Sequence, residues 1–290
     1  MWNEFLDFIF PPTCLVCGKR WGLGLDRGSS VVCSRCDPLA MPYLDDLVTQ
    51  WNSELLTDPS AHQLFCDRCG EVTTSWGTIT QPRLCVPCVL WPPPFRRVRS
   101  LWRYANQVAE LIKAYKYRTR RPLAKYITAV VATALQGTES HPPLFPEHDW
   151  ELIVPLPSSD EMLRQRGFNH MGQVARALSR KLGIPNTVAA LTSSRNRAPQ
   201  VSLIGKARYD NVTAAFQVNE SIVSGRVILV LDDVMTTGAS VWGAASALNE
   251  AGASAIDVLT VARAVDFHHQ RLSRSKEQRA IVQELVENLC

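Results

Sequence analysis

No apolar run in this sequence approaches the ~20 residues that a membrane-spanning helix requires, so no span is expected. The opening, MWNEFLDFIFPP, has no Lys or Arg and is interrupted by Pro11 and Pro12. It therefore does not read as a signal peptide, and its aromatic residues fit a short amphipathic helix packed on its own domain better than one lying on anionic lipid. A cytoplasmic location is the expectation. Unpaired cysteine is nearly absent: eight of the nine cysteines fall in CxxC pairs, and Cys290 alone is left over. A chain-wide charge of one sign is lacking too, since the net charge is +4. The charge is nonetheless localised: Arg96 to Lys125 holds ten basic residues and one acid, leaving the remainder net acidic.

What is present centres on Arg226 to Ser240, RVILVLDDVMTTGAS. Val227 to Leu231 is too short for a helix and β-branched enough to read as a buried strand of a parallel sheet. Asp232 and Asp233 stand at its carboxyl end, followed by Thr236, Thr237, Gly238, Ala239 and Ser240, and helical spacing then runs from Ala239 to a stop at Gly252. A loop of small hydroxyl residues and Gly at a helix start presents N–H groups and hydroxyls to an anion, where the helix dipole also favours negative charge. Two carboxylates beside that nest would repel the phosphate; they fit a vicinal diol, or a Mg²⁺ that carries more phosphate. A ribose 5-phosphate satisfies both halves. The run closely resembles the motif with which type I phosphoribosyltransferases bind 5-phosphoribosyl 1-pyrophosphate (PRPP). A solvated turn with an N-cap Thr is the plainer alternative, disfavoured because strand, acids, hydroxyl loop and helix fall in the order a phosphate site needs.

The paired cysteines are Cys14 and Cys17, Cys33 and Cys36, Cys66 and Cys69, Cys85 and Cys88, with fifteen residues between the first and second pairs and again between the third and fourth. This repeated unit has the spacing of a tetrahedral Cys₄ zinc site, and Gly18 and Gly70 suit the turn of a zinc knuckle. Disulfides are the competing reading, disfavoured in a reducing compartment. The pairs could also interleave between repeats, so one zinc ion or two remain alternatives. With sulfur in every ligand position such a metal is structural and supplies folding energy and an interaction surface.

Between Trp91 and Lys125 aromatic residues interleave with cations, the composition of a groove that tracks a phosphate backbone and stacks bases. Arg96, Arg97, Arg99, Trp102, Arg103, Tyr104, Lys113, Lys116, Arg118, Arg120 and Arg121 are the candidate DNA-binding residues. A solvated basic face over an aromatic core is the alternative. Helices are expected from about Asn106 and over Leu123 to Leu135, and strands at Glu151 to Pro155, Thr187 to Leu191, Ala215 to Val218, Val227 to Leu231 and Ala255 to Ala262. Strands alternating with helices give an α/β fold, a parallel doubly wound sheet with its ligand at the carboxyl ends of the strands. The expected division is a zinc-binding domain over 1–95, a basic aromatic segment and linker over 96–148, a phosphoribosyltransferase-like domain over 149–266 and a charged tail over 267–290.

With the CxxC units in front, Pro93 to Arg97 (PPFRR), Lys116 to Arg118 (KYR), Arg166 to His170 (RGFNH), the spaced Arg195, Gln200, Leu203, Arg208, Asn211, Ala215 and Phe216, and the strand-acid-loop run, the chain resembles the ComF family of competence and DNA-utilisation proteins. The resemblance is collinear from Cys14 to about Ala262. It implies a type I phosphoribosyltransferase fold behind a Cys₄ zinc finger, a role in taking up or using DNA, single-stranded DNA as a ligand and a DNA-uptake helicase as a protein partner. His170 stands where the family has Gln, Arg197 where it has Thr, and the loop after the first strand of the 149–266 domain reads Ser158, Ser159, Asp160, Glu161, Met162 where a basic residue is usual.

As an enzyme the chain would hold Mg²⁺–PRPP with its 5-phosphate on Thr236 to Ser240 and its hydroxyls on Asp232 and Asp233. Arg164, Arg166 and Arg197 are the candidates for stabilising the departing pyrophosphate. No residue presents itself as the acceptor's general base. The alternative is a non-enzymatic scaffold that binds single-stranded DNA and uses PRPP or a nucleotide only as a ligand.

Overall fold

Alternating burial, more than composition, decides where the sheet begins. The computed structural model describes residues 13–20, 31–38, 66–70, 84–85, 88–89, 91–118, 120–139, 143–146, 148–158, 162–164, 167–193 and 215–264. The first strand, β1 (Arg97–Arg103), buries Val98, Ser100, Leu101 and Trp102 beneath its arginines. Helices α1 (Asn106–Tyr117) and α2 (Leu123–Gln136) follow, then β2 (Leu152–Pro155) and α3 (His170–Leu182). Next come β3 (Leu191–Ser193), β4 (Phe216–Val218) and the single-turn helix α4 (Glu220–Val223). The described chain closes with β5 (Val227–Met235), α5 (Ala239–Glu250) and β6 (Ala255–Arg263).

Four strands form one parallel sheet in the order β1-β6-β5-β2, and β3 and β4 make a separate antiparallel pair. The near-continuous apolar runs of β5 and β6 follow from their central places, covered on both faces. On one face α1, α2 and α3 bury Leu111, Ile127, Val174 and Leu178 against Leu229, Leu231 and Leu259. On the other, Val241, Ala244 and Leu248 of α5 pack with Ile228, Val230 and Val258. The helix after β2 and the helix after β5 thus lie on opposite faces. That reversal opens a crevice at the carboxyl ends of these two neighbouring strands, where ligands of doubly wound sheets bind.

The structure bears out the α/β parallel-sheet class and moves several boundaries. Ladder pairing carries β5 four residues past its apolar part, through both acids to Met235, which pairs with Arg263. The strand expected at Thr187 to Leu191 begins only at Leu191 and runs antiparallel to β4. The stretch 96–148, expected as a segment apart, supplies an edge strand and two helices of the sheet domain. Its arginines masked the buried residues of β1. Among the described residues, no helix is long and apolar enough to cross a membrane.

Candidate functional site

Period-two alternation puts Asp233 on the same face of β5 as Leu229 and Leu231, under α1 and α3. Its Oδ1 accepts from Lys116 Nζ at 2.6 Å, near the end of α1, and its Oδ2 meets His170 Nε2 at the start of α3. Tyr115 donates its hydroxyl to the His170 carbonyl at 2.5 Å and sets its ring edge-on to the imidazole. Asp232 is partly exposed, and its Oδ1 accepts the Asp233 N–H at 2.8 Å. Electrostatics separates the two acids. Burial, then the adjacent Asp233 charge, pushes Asp232 up to about 7. Burial opposes the ionisation of Asp233 as well, but the His170 contact and the Lys116 charge outweigh it and hold that carboxyl at about 2. Tyr115 is pushed up by burial and by the Asp233 charge.

Beyond the acids the loop turns into α5 through Gly238, whose φ of +75° lies in the left-handed region. A Cβ there would stand 2.6 Å from Met235 Cε, so the residue is constrained both by conformation and by space. Among the described residues no side chain caps α5 tightly: the Ala239 N–H reaches Thr237 Oγ1 only at 3.4 Å. The first helical bond is Trp242 N–H to the Gly238 carbonyl, which leaves the N–H groups of Ser240 and Val241 without helical acceptors. Thr236 and Thr237 are exposed beside this positive helix end. The string RGFNH builds the opposite wall. Gly167 takes φ +70°, Asn169 Oδ1 caps α3 by accepting the Gly172 N–H at 2.8 Å, and the cap fixes where His170 enters the helix.

Sequence reasoning found the acid pair and missed its partners. His170 and Asp233 are 63 residues apart and Lys116 and Asp233 are 117 apart, so no local pattern joins them. The available signal was His170 itself, a titratable side chain in a string otherwise built for a turn and a cap. Of the three arginines expected at the pyrophosphate, Arg164 is exposed, while Arg166 and Arg197 lie outside the described residues, as do Ser159, Asp160 and Glu161.

The basic stretch divides in two. Trp102 is 1% exposed in the core below β1, so it is corrected from a base-stacking residue to a packing residue. Arg99 is also turned inward: its Nη1 donates to the Asp67 and Val98 carbonyls, and burial lowers it to about 10. Lys116 is taken by Asp233, and Arg96 pairs with Asp257 and Asp149 while Trp150 also donates to Asp257 Oδ2. Arg97 and Tyr104 are partly buried. Arg103, Lys113, Arg118, Arg120 and Arg121 are exposed, with Lys113 paired to Glu110 and Arg121 over the Phe168 ring at 5.3 Å. Tyr117, at 63% exposure, is the aromatic residue presented among them.

The cysteines assemble by repeat: Cys14, Cys17, Cys33 and Cys36 form one group, and Cys66, Cys69, Cys85 and Cys88 the other, each with its sulfurs within 4.8 Å of one another. The interleaved arrangement is not adopted. Sγ atoms of Cys17 and Cys33 stand 3.9 Å apart and those of Cys69 and Cys85 3.6 Å, and all eight are free thiols. Four thiolates at about 2.3 Å from a tetrahedral Zn²⁺ have sulfurs about 3.8 Å apart, so both quartets fit the ion. Hydrogen bonds from Cys69, Cys85 and Cys88 push the Cys66 thiol down, and hydrogen bonds with Cys66, Cys69 and Cys85 push the Cys88 thiol up; a bound cation would let all four ionise together. Gly18 and Gly70, at φ +73° and +67°, each donate to the carbonyl of the first cysteine in their knuckle.

Both quartets rest on the sheet domain. Arg118 donates to the Val16 carbonyl at 2.7 Å, Tyr126 donates to Asp37 at 2.5 Å, and Cys14, Val16, Val32 and Cys33 join the core under α1 and α2. The second knuckle lies along the free edge of β1, where the Val98 N–H donates to the Arg68 carbonyl at 2.7 Å. Arg263, at the end of β6, reaches the Cys69 carbonyl at 2.6 Å.

Comparison with known proteins agrees with this architecture. The family described as "Phosphoribosyl transferase domain" matches residues 172–288. "DNA utilization protein YhgH" of Escherichia coli K12 is 30% identical over 180 residues, covering 62% of this chain and 77% of that protein. "Competence protein F" of Haemophilus influenzae is 26% identical over 206 residues, covering 69% and 85%. Among solved structures, adenine phosphoribosyltransferase from Thermoanaerobacter pseudethanolicus is 14% identical, with 55% of this chain and 84% of that one covered at a TM-score of 0.30. A phosphoribosyltransferase sheet, two Cys₄ groups ahead of it and relatives of this kind together show that the chain belongs to the ComF family.

Proposed function

We propose that the chain binds PRPP at the crevice between β2 and β5 and serves in the uptake or use of DNA. The observation that carries the reading is the junction of β5 and α5: two acids lie near the carboxyl end of the strand, and an uncapped helix N-terminus opens after a left-handed Gly238. The 5-phosphate takes the N–H groups and hydroxyls of Thr236 to Ser240, and the ribose hydroxyls take the acidic end of β5. Mg²⁺, arriving with the pyrophosphate, would add the positive charge that makes pyrophosphate a better leaving group. Arg164, Arg166 and Arg197 are the proposed contacts to that group. Transfer to an acceptor then proceeds through an oxocarbenium-like state at C1.

A second reading keeps PRPP as a ligand without turnover, and one observation favours it: Asp160 and Glu161 follow β2 in sequence, where a pyrophosphate would be met more readily by cations. Single-stranded DNA is the proposed polyanion for the exposed Arg103, Lys113, Arg118, Arg120 and Arg121, with two structural zinc ions holding the front of the chain. Pyrophosphate release from Mg²⁺–PRPP, screened across nucleobases and amines, separates the readings. Release that depends on an acceptor establishes the transferase; PRPP binding without release across the screen establishes the ligand role.

A further inference from the structure

We propose that Cys17 is an oxidant-sensitive thiol, at which a peroxide opens the first cysteine quartet and releases its metal while the second quartet keeps its own. The inference rests on the reading of both quartets as zinc sites and separates them by reactivity. Their solvent access differs. In the first, Cys14 and Cys33 are buried, but Cys17 is exposed and Cys36 partly so. Cys36 also lines an open cleft at the start of α1, with Asn106, Gln107, Glu110 and Lys113. In the second, Cys66, Cys85 and Cys88 are buried and Cys69 is partly buried. That knuckle is held on the sheet at two points, by the Val98 N–H on the Arg68 carbonyl and by Arg263 on the Cys69 carbonyl. Metal ligation keeps the quartet sulfurs as thiolates in both sites, so access decides which of them a small oxidant attacks.

A resolving partner stands beside the exposed sulfur: Cys33 Sγ lies 3.9 Å from Cys17 Sγ. The Cys17 thiolate attacks one oxygen of hydrogen peroxide, forming an S–O bond as the O–O bond breaks, and the leaving hydroxide takes a proton to become water. The Cys33 thiolate then attacks the sulfenic sulfur, forming the disulfide as the S–O bond breaks and a second hydroxide is protonated. Two thiolates, one peroxide and two protons thus give one disulfide and two waters, with the two sulfurs supplying the two electrons. Cys14 and Cys36 then remain as the only ligands, half of the set that a structural zinc site needs. The effect reaches the sheet domain through Val16, between Cys14 and Cys17, whose carbonyl accepts from Arg118 at 2.7 Å. Cys14, Val16 and Cys33 also pack in the core under α1 and α2, so opening this quartet loosens the end of α1, where exposed basic residues lie.

The test treats the full zinc-loaded chain with hydrogen peroxide, following metal release with a chromogenic chelator and the thiols by peptide mass mapping. Element analysis beforehand gives the loading: fewer than two zinc ions per chain overturns the zinc reading and this inference with it, whereas the contrary results below overturn the inference alone. One zinc equivalent is expected to leave at least about tenfold faster than the other, with a disulfide between Cys17 and Cys33 and the second quartet still reduced. A thiol reductant with added zinc should restore the loading. Cys17→His keeps four ligands of kinds that zinc accepts but removes the attacking thiolate, so the fast phase should vanish with both zinc ions retained. Cys69→His, at the most accessible position of the second quartet, should leave the fast phase as in wild type. Should Cys17→His fail to hold its metal, substoichiometric peroxide on the wild type decides, with Cys17 expected as the first of the eight quartet sulfurs to be oxidised. Release from both quartets at equal rates, faster loss from the second, first oxidation at another quartet sulfur, or a fast phase that survives in zinc-loaded Cys17→His overturns the proposal.

Discussion

Asp232 and Asp233 share a strand end, yet cations reach the two unequally and their acidities move apart. The raised acid has a sign that stability measurements can read. Between about pH 4 and about pH 7 the folded chain keeps a proton on Asp232 that the unfolded chain has released, so this group makes the ligand-free protein less stable as pH rises through that window. Asp233 works the other way: its pairing stabilises the fold above about pH 4, and that contribution disappears as pH falls toward about 2. Urea unfolding at pH 5 and at pH 7.5 is expected to show a smaller loss of stability between the two in Asp232→Asn than in wild type. An identical loss would remove the raised acid from the account. The acids themselves were legible in the sequence because they adjoin in an apolar run. Their unequal surroundings were not, since those come from α1 and α3, brought to β5 only by the packing of helices over one face of the sheet.

At the scale of an element, the end of α1 separates roles within three residues: Lys116 turns in to Asp233, Tyr117 is exposed, and Arg118 reaches the Val16 carbonyl of the first knuckle. The helix was legible from its apolar spacing at Val108, Leu111, Ile112 and Tyr115, all of which are buried. β1 was not, because Arg97, Arg99 and Arg103 gave a strand the look of a basic patch and drew attention from the buried Val98, Leu101 and Trp102 between them. The proposed nucleic-acid surface is accordingly smaller than composition suggested. Replacing Arg120 and Arg121 together by Ala is expected to weaken single-stranded DNA binding and to flatten the slope of log affinity against log salt by about 1.4, at about 0.7 for each phosphate that the chain no longer neutralises. Tyr117→Ala is expected to lower affinity with the slope unchanged, because stacking releases no counterions. Filter binding between low and physiological salt reads both effects, and a double-arginine variant with the wild-type slope and affinity would place the DNA elsewhere.

Across the whole molecule, the alternation of strands and helices in the sequence was sufficient for the α/β class, while the fifteen-residue spacing marked the Cys₄ units but left open whether their pairs interleave, which the grouping by repeat decides. How the knuckles dock was not legible, because they are held through backbone carbonyls of Val16, Arg68 and Cys69, which carry no sequence signal. Docking of this kind would tie the stability of the sheet to a metal held by the quartets. Two zinc ions per chain are expected by element analysis, and their removal by a chelator should lower the melting temperature of the sheet domain along with the front of the chain, since one quartet shares its core and the other lines its edge strand. A metal-free chain with an unchanged melting curve would contradict both quartets as structural sites. The central claim is that the acidic end of β5 and the open helix start beyond it form a PRPP site. Calorimetry with Mg²⁺–PRPP on wild type and on the Asp232→Asn/Asp233→Asn variant tests it most directly: the account predicts binding by wild type and none by a folded double variant, and equal binding by the two would contradict it.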